Sequence, residues 1–215
     1  MPTLGSLVTD ISTILNDSSV PETRIKSAIN STIDSLETYG FWFQQAMETY
    51  TLTAGANLLG SDPTNFSHEF SRGGLTIQDG TETYPLKKVH LQEYDWFNAQ
   101  NNARPLVYTR LNEQFLLYPF PDQAYTAYLR YFKTYSDLVN DGDTNDFTDN
   151  AARLVKYQTL ADLFIDERKS TERYNDYKAR ADMEMRRLTK QSGDRRGTKR
   201  TTPDGVMPTY MGRLS

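Results

Sequence analysis

Ala124-Tyr-Thr-Ala-Tyr-Leu-Arg-Tyr-Phe132 alternates strictly. Tyr125, Ala127, Leu129 and Tyr131 point one way, and Thr126, Tyr128, Arg130 and Phe132 the other, so the stretch is a strand with two distinct faces. Upstream of it lie further short runs rich in β-branched and aromatic residues. Strands are expected at Glu48–Thr53, at Leu75–Gln78 before a turn at Asp79-Gly80, and at Pro85–His90, Leu106–Leu111 and Gln114–Tyr118. Gln92–Gln100 reads as a short helix between strands. Gly55–Phe70 shows no period and reads as a long polar loop.

The period changes on both sides of this strand-rich middle. Leu4, Leu7, Val8, Ile11, Ile14 and Leu15 recur at spacings of three and four, which gives an amphipathic helix from Thr3 to Asp17. Pro21 suits the first turn of a second helix with Ile25, Ala28, Ile29, Ile33 and Leu36 as its apolar face, and Gly40 stands where a left-handed C-cap belongs. After the strands, Leu154, Val155, Gln158, Ala161, Phe164 and Ile165 mark a helix with Thr148 as a candidate N-cap. Tyr174, Tyr177, Ala181, Met185 and Leu188 mark another from Ser170 to Lys190. The expected architecture is α+β: a helical bundle built from the N- and C-terminal helices, with an inserted antiparallel β-rich lobe and an extended C-terminal arm. The divisions are residues 1–45 for the N-terminal hairpin, 46–135 for the lobe, 136–190 for the C-terminal helices and 191–215 for the arm.

At 215 residues the chain is long enough to bury a core. Mean hydropathy is -0.67, yet there are 14 Tyr and 10 Phe. Wide polar surface studded with amphipathic rings suits a subunit that makes contacts. The absence of cysteine excludes disulfides, thiolate-bound metals and thiol nucleophiles. No basic segment leads into an apolar run at the N-terminus, and no 18 apolar residues occur together, so synthesis and use in the cytosol without a membrane are expected.

Charge is unevenly placed. The segment from Lys190 to Ser215 carries six basic residues and two acidic ones; it is +4, and the remainder is -8 for a net charge of -4. This segment, rich in Gly, Pro, Thr and Arg, has no apolar period to repay its ordering entropy, and disorder is expected in the free monomer. Arg195, Arg196, Lys199 and Arg200 could meet phosphates or acidic protein surface, and Arg213 adds a further basic residue to the arm. Val206, Met207, Tyr210 and Met211, set among prolines, favour a protein groove.

Chemistry is sparse. Asp141-Gly-Asp-Thr-Asn-Asp146 begins like a calcium loop, but Asp146 stands where the turn needs Gly and Ala152 where a bidentate Glu is required. His68 and His90 lie in different segments, and His90 with Glu93 does not complete a metal site. Glu113 and Asp122 have the spacing of two lysozyme carboxylates, but Tyr128 replaces the third residue and both acids fall in expected hairpin turns, where water keeps a carboxyl acidic. No phosphate-binding, dinucleotide, zinc-protease or hydrolase motif occurs. No catalytic residue, metal site or cofactor is expected.

Taken in order, the segments resemble the adaptor proteins of the tailed-phage head-to-tail connector. The likeness runs over residues 3–190. It includes the two opening helices closing on Tyr39-Gly40-Phe41-Trp42-Phe43, the strand Tyr50–Gly55, Asn102-Ala-Arg-Pro-Leu-Val-Tyr108, Phe115-Leu-Leu-Tyr-Pro-Phe-Pro-Asp122 and Tyr125–Tyr131, then an Asp/Thr-rich loop and two helices. Family members often turn at a Gly between those strands, where this chain has Leu111-Asn-Glu-Gln114. The resemblance implies a dodecameric ring at the head-tail junction of the virion, bound to the portal protein and to a tail or nozzle protein, with DNA passing through the lumen without sequence-specific binding. On this reading residues Arg195 to Ser215 form the portal-binding arm. The alternatives are a virion-associated peptidoglycan hydrolase and a DNA-binding protein acting through the basic arm.

Overall fold

The computed structural model describes residues 1–16, 19–70, 74–95, 97, 101–166 and 170–195. Helices α1 (Leu4–Leu15) and α2 (Glu22–Glu37) lead through Gly40, at φ +61°, into a 3-10 turn at Trp42–Gln44. Nine strands follow: β1 (Gln45–Leu52), β2 (Leu58–Ser61), β3 (Phe66–Glu69), β4 (Leu75–Asp79), β5 (Glu82–Pro85), β6 (Lys87–Lys88), β7 (Val107–Leu111), β8 (Gln114–Tyr118) and β9 (Tyr125–Lys133), with the short helix α3 (Leu91–Tyr94) between β6 and β7. The described chain closes with α4 (Asp146–Asn150), α5 (Ala152–Asp166) and α6 (Thr171–Arg195). The α+β class is as the periodicities imply.

The alternating stretch becomes β9, the centre of the larger sheet. One edge pairs with β1 along its length, from Gln45 opposite Phe132 to Leu52 opposite Tyr125; the other edge is shared between β4 and β3. Its Tyr125, Ala127, Leu129 and Tyr131 are buried against Phe115, Leu117 and Tyr108 of the second sheet, whose order is β2-β8-β7-β6. Side chains alternate across a strand, so the inward set forms a core between two sheets while Arg130 on the other face stays in water.

Three readings are corrected in the lobe. Gly55–Phe70 holds strands β2 and β3, each of four residues, too short to display a period in a polar sequence; their partners β8 and β9 lie more than fifty residues away. The expected strand Pro85–His90 is split at Leu86. Its N–H donates to the Leu75 carbonyl (2.9 Å) while that of Lys87 donates to Leu106 (3.0 Å), so the chain changes sheets there with Leu86 buried between them. The short helix is Leu91–Tyr94, and most of the remaining stretch to Gln100 lies outside the described residues.

In the bundle, α5 is packed between α2 and α6 and runs antiparallel to both. Arg24 at the start of α2 pairs with Asp166 at the end of α5 (2.8 Å), Thr159 donates its hydroxyl to Thr32 in the buried seam (3.0 Å), and Phe164 stacks on Tyr177 of α6 with ring centroids 5.5 Å apart. Leu4, Ile11, Ile25, Ile29, Phe147, Val155 and Leu160 fill the core. Ile165, assigned inward by its spacing, is 53% exposed; the inward set includes Leu160 and Leu163 instead. Thr148 is the third residue of α4, where its hydroxyl accepts from the Asn145 N–H (3.0 Å), and Asn145 is the cap. Helix α6 runs five residues beyond the expected end at Lys190.

Candidate functional site

Arg195, the first of the expected portal-binding residues, occupies the last turn of α6. Its guanidinium lies 3.6 Å from the centroid of the Trp42 ring. One turn earlier the buried Ser192 accepts the Trp42 N–H at its Oγ (3.2 Å) and donates to the Leu188 carbonyl (2.9 Å). Trp42 stands edge-on to Phe43 (5.5 Å), Phe43 stands edge-on to Phe147 (5.1 Å), and Phe41 and Tyr135 also lie against Phe147. Gln44, wholly buried, satisfies this joint by accepting from the Phe41 N–H (2.7 Å) and donating to the Glu37 carbonyl (3.0 Å). The end of α6 is thus fixed where the bundle hands over to the first strand. A cation over an indole face, together with the hydrogen bond, holds the end of a helix that buries few side chains elsewhere. Arg196, Lys199, Arg200, Val206, Met207, Tyr210, Met211 and Arg213 lie outside the described residues.

The lobe carries a cleft of about 520 Å³ that brings His68 and His90 together with Glu69, Lys88 and Arg110. Both oxygens of the buried Glu69 are engaged: Lys88 pairs with one, and the Tyr108 hydroxyl donates to the other at 2.5 Å. Burial, and then this bond to a carboxylate, push the Tyr108 hydroxyl well above its ordinary range. A carboxylate held this way is a structural ion pair between the sheets; its lone pairs are committed to protein donors. Glu113 and Asp122 are exposed and lie outside this cleft, Glu113 in the β7–β8 turn and Asp122 accepting from the Tyr125 hydroxyl (2.6 Å).

The acidic loop spends its oxygens on the protein. Asp143 accepts from the Asn140 N–H (2.8 Å) and the Val139 N–H (2.9 Å), and these bonds hold its carboxyl below the usual range. Asp141 pairs with Lys26 (2.6 Å), and Asp146 accepts from Tyr135 and Lys133 (2.7 Å each). Among the described residues, no cluster of three or more His, Cys, Asp or Glu is arranged to hold a metal ion.

Comparison with protein families bears directly on this arrangement. A family model described as SU10 adaptor protein matches residues 2–205. The chain belongs to the SU10 adaptor protein family. It is therefore a phage adaptor, a structural component of the virion, and membership implies that it oligomerises and contacts portal or tail proteins. No curated protein matches the chain. Three of the stretches that carry the resemblance lie together in the adaptor's lobe: Arg104 stacks 3.9 Å over Tyr84 just before β7, Phe115–Tyr118 belong to β8, and Tyr125–Tyr131 to β9. Among the described residues no helix of the adaptor is long and apolar enough to cross a membrane. Sequence reasoning missed Trp42 and Ser192 as the anchor of the last turn of α6. The aromatic run Phe41–Phe43 was visible, but its partner lies 150 residues away.

Proposed function

We propose that the adaptor is a subunit of a dodecameric ring that joins the capsid portal to the tail around the DNA channel, with the segment from Arg195 to Ser215 as its portal-binding arm. The observation that carries this reading is the fixed root of that segment at Trp42. A basic stretch leaving from a rigid joint can reach a neighbouring protein while its origin stays registered to the body. An arm that orders on binding makes a large interface yet leaves the free subunit soluble. The helical bundle then builds the ring, and the strand lobe faces tail or nozzle proteins. A body of charge -8 repels DNA in the lumen and lets it pass without sequence-specific binding. The role requires no catalysis and no cofactor.

The test mixes the purified adaptor with its portal ring, and separately the same chain ending at Arg195, and follows the mass of each mixture by light scattering. Ring-sized added mass with the full chain, and none with the shortened one, is expected. Equal binding by both chains would remove the arm from the interface. Failure of both to bind, with the full chain instead binding duplex DNA in a steeply salt-dependent way, would favour the nucleic-acid reading.

A further inference from the structure

Helix α5 is antiparallel to both α2 and α6, so those two run parallel to each other, and both end at the Trp42 joint; α5 meets α2 through Thr159 and Asp166 and α6 through Tyr157 and Phe164, about 160° apart around its axis. Their exposed faces therefore turn to opposite flanks of the subunit. On α2 the exposed residues Ser27, Ser31 and Asp34 follow at intervals of four and three, a flat line of short side chains ending in an acid. On α6, opposite the buried Ala181 and Leu188, the exposed Ala179, Met183, Arg186 and Lys190 follow at intervals of four, three and four. Asp34 lies six residues before Gly40, and Arg186 six residues before Ser192. Both therefore lie toward the Trp42 end of their helices, Asp34 three residues before the end of α2 at Glu37.

Each flank also leaves charge uncompensated. Arg173 and Arg195 lie over rings, and Lys178, Arg180 and Arg187 pair with acids of α6 itself. Arg186 and Lys190 have neither among the described residues. On the other flank Asp34, Glu37 and Asp137 have no basic partner among the described residues. Desolvation first, and then the neighbouring Asp137, raise the Asp34 carboxyl above its ordinary value. Val139, 67% exposed, borders this acidic end, as the 62% exposed Met183 borders the basic one.

We propose that neighbouring copies in the ring meet through these two flanks: α6 of one copy lies parallel along α2 of the next, Met183 over Ser27 and Ser31, Arg186 and Lys190 against Asp34 and Asp137. A closed ring needs two different, complementary surfaces on one subunit, and rotation about an axis along the helices keeps their levels matched. Short serines let the facing helix approach closely, and opposite charges set the register. The inference rests on the ring reading above and names the surfaces that close it.

Two variants test it, R186E/K190E and D34K/D137K, each changed only at exposed positions and checked for an unchanged circular dichroism spectrum. The first presents acid on both flanks and the second base on both, so neither can pair with itself. Each variant should need at least roughly tenfold more protein than wild type to fill the portal-bound ring. A 1:1 mixture, able to alternate around the ring, should recover the wild-type mass. Assembly of either variant by itself at the wild-type concentration, or failure of the mixture to recover, would overturn the interface while leaving the ring standing. Absence of a closed assembly from the wild-type adaptor would instead sink the ring reading, and this interface with it.

Discussion

Asn112 and Glu113 turn the β7–β8 hairpin at φ +46° and +63°, the left-handed pair that a two-residue connection between right-twisted strands requires. Asn adopts that conformation readily; Glu does so against the crowding of its Cβ. Replacing Glu113 with Gly should raise unfolding stability by about 1 kcal/mol, read from denaturant midpoints, and a neutral or negative change would count against strain in the turn. Glu37 makes the opposite kind of point. It is 8% exposed and accepts the Tyr135 N–H (2.8 Å), yet burial outweighs that bond and holds its carboxyl above the ordinary value of 4.5. The folded state then binds this proton more tightly than the unfolded one. Its contribution to stability is complete below the ordinary value and is lost as pH rises through the raised one. Glu37→Gln keeps an oxygen for Tyr135 and removes the titration. The variant should gain on wild type between pH 4 and pH 7 in paired unfolding measurements; a constant difference would refute the assignment.

At the scale of elements, α1 is held by the acidic loop more than by its own propensities. The N–H of Leu4 donates to the Asp143 carbonyl (3.0 Å) and that of Gly5 to the Asp141 carbonyl (2.9 Å), so two of the orphan donors of the first turn are satisfied from elsewhere in the chain. Gly5 permits this approach, since a Cβ there would lie 2.8 Å from the Asp141 Cβ and 3.1 Å from its carbonyl oxygen. Gly to Ala inside a helix ordinarily gains about 1 kcal/mol. Here Gly5→Ala should instead lose about 1–3 kcal/mol, because the loop must shift away from the helix. Gly142→Ala, with open space around it, serves as the control in the same thermal denaturation series.

For the molecule as a whole, the joint at Trp42 couples three parts: the end of α2, the start of β1 and the last turns of α6. Trp42→Leu removes the ring under Arg195 and keeps an apolar side chain against Phe43. Amides of residues 186–195 should then exchange with solvent about tenfold faster, roughly 1.4 kcal/mol of local opening and within the ~0.5–2 kcal/mol of a cation–π contact. The start of α6, where Tyr177 stacks on Phe164, should exchange as before. Uniform acceleration along α6 would mean that the helix is held by α5 throughout and that its end has no separate anchor. If the arm reading holds, the same variant should also weaken portal binding.

The sequence by itself determined the element types wherever a period could express itself: the alternation of Tyr125–Tyr131 made a two-faced strand, and the three-and-four spacing of Leu4–Leu15 and Ile25–Leu36 made two amphipathic helices. Its ordered motifs also carried the family. Tertiary structure decided what local pattern cannot encode. Four-residue strands such as Leu58–Ser61 exist only through partners distant in the chain, Leu86 divides one apparent strand between two sheets, and Ile165 faces water because the packing of α5 on α2 and α6 turns the core face away from it. The joint at Trp42 belongs to this second kind. A contact between Trp42 and residues 192 and 195 is a property of the closed chain, made when the last helix returns to the end of the second, and no local spacing announces it.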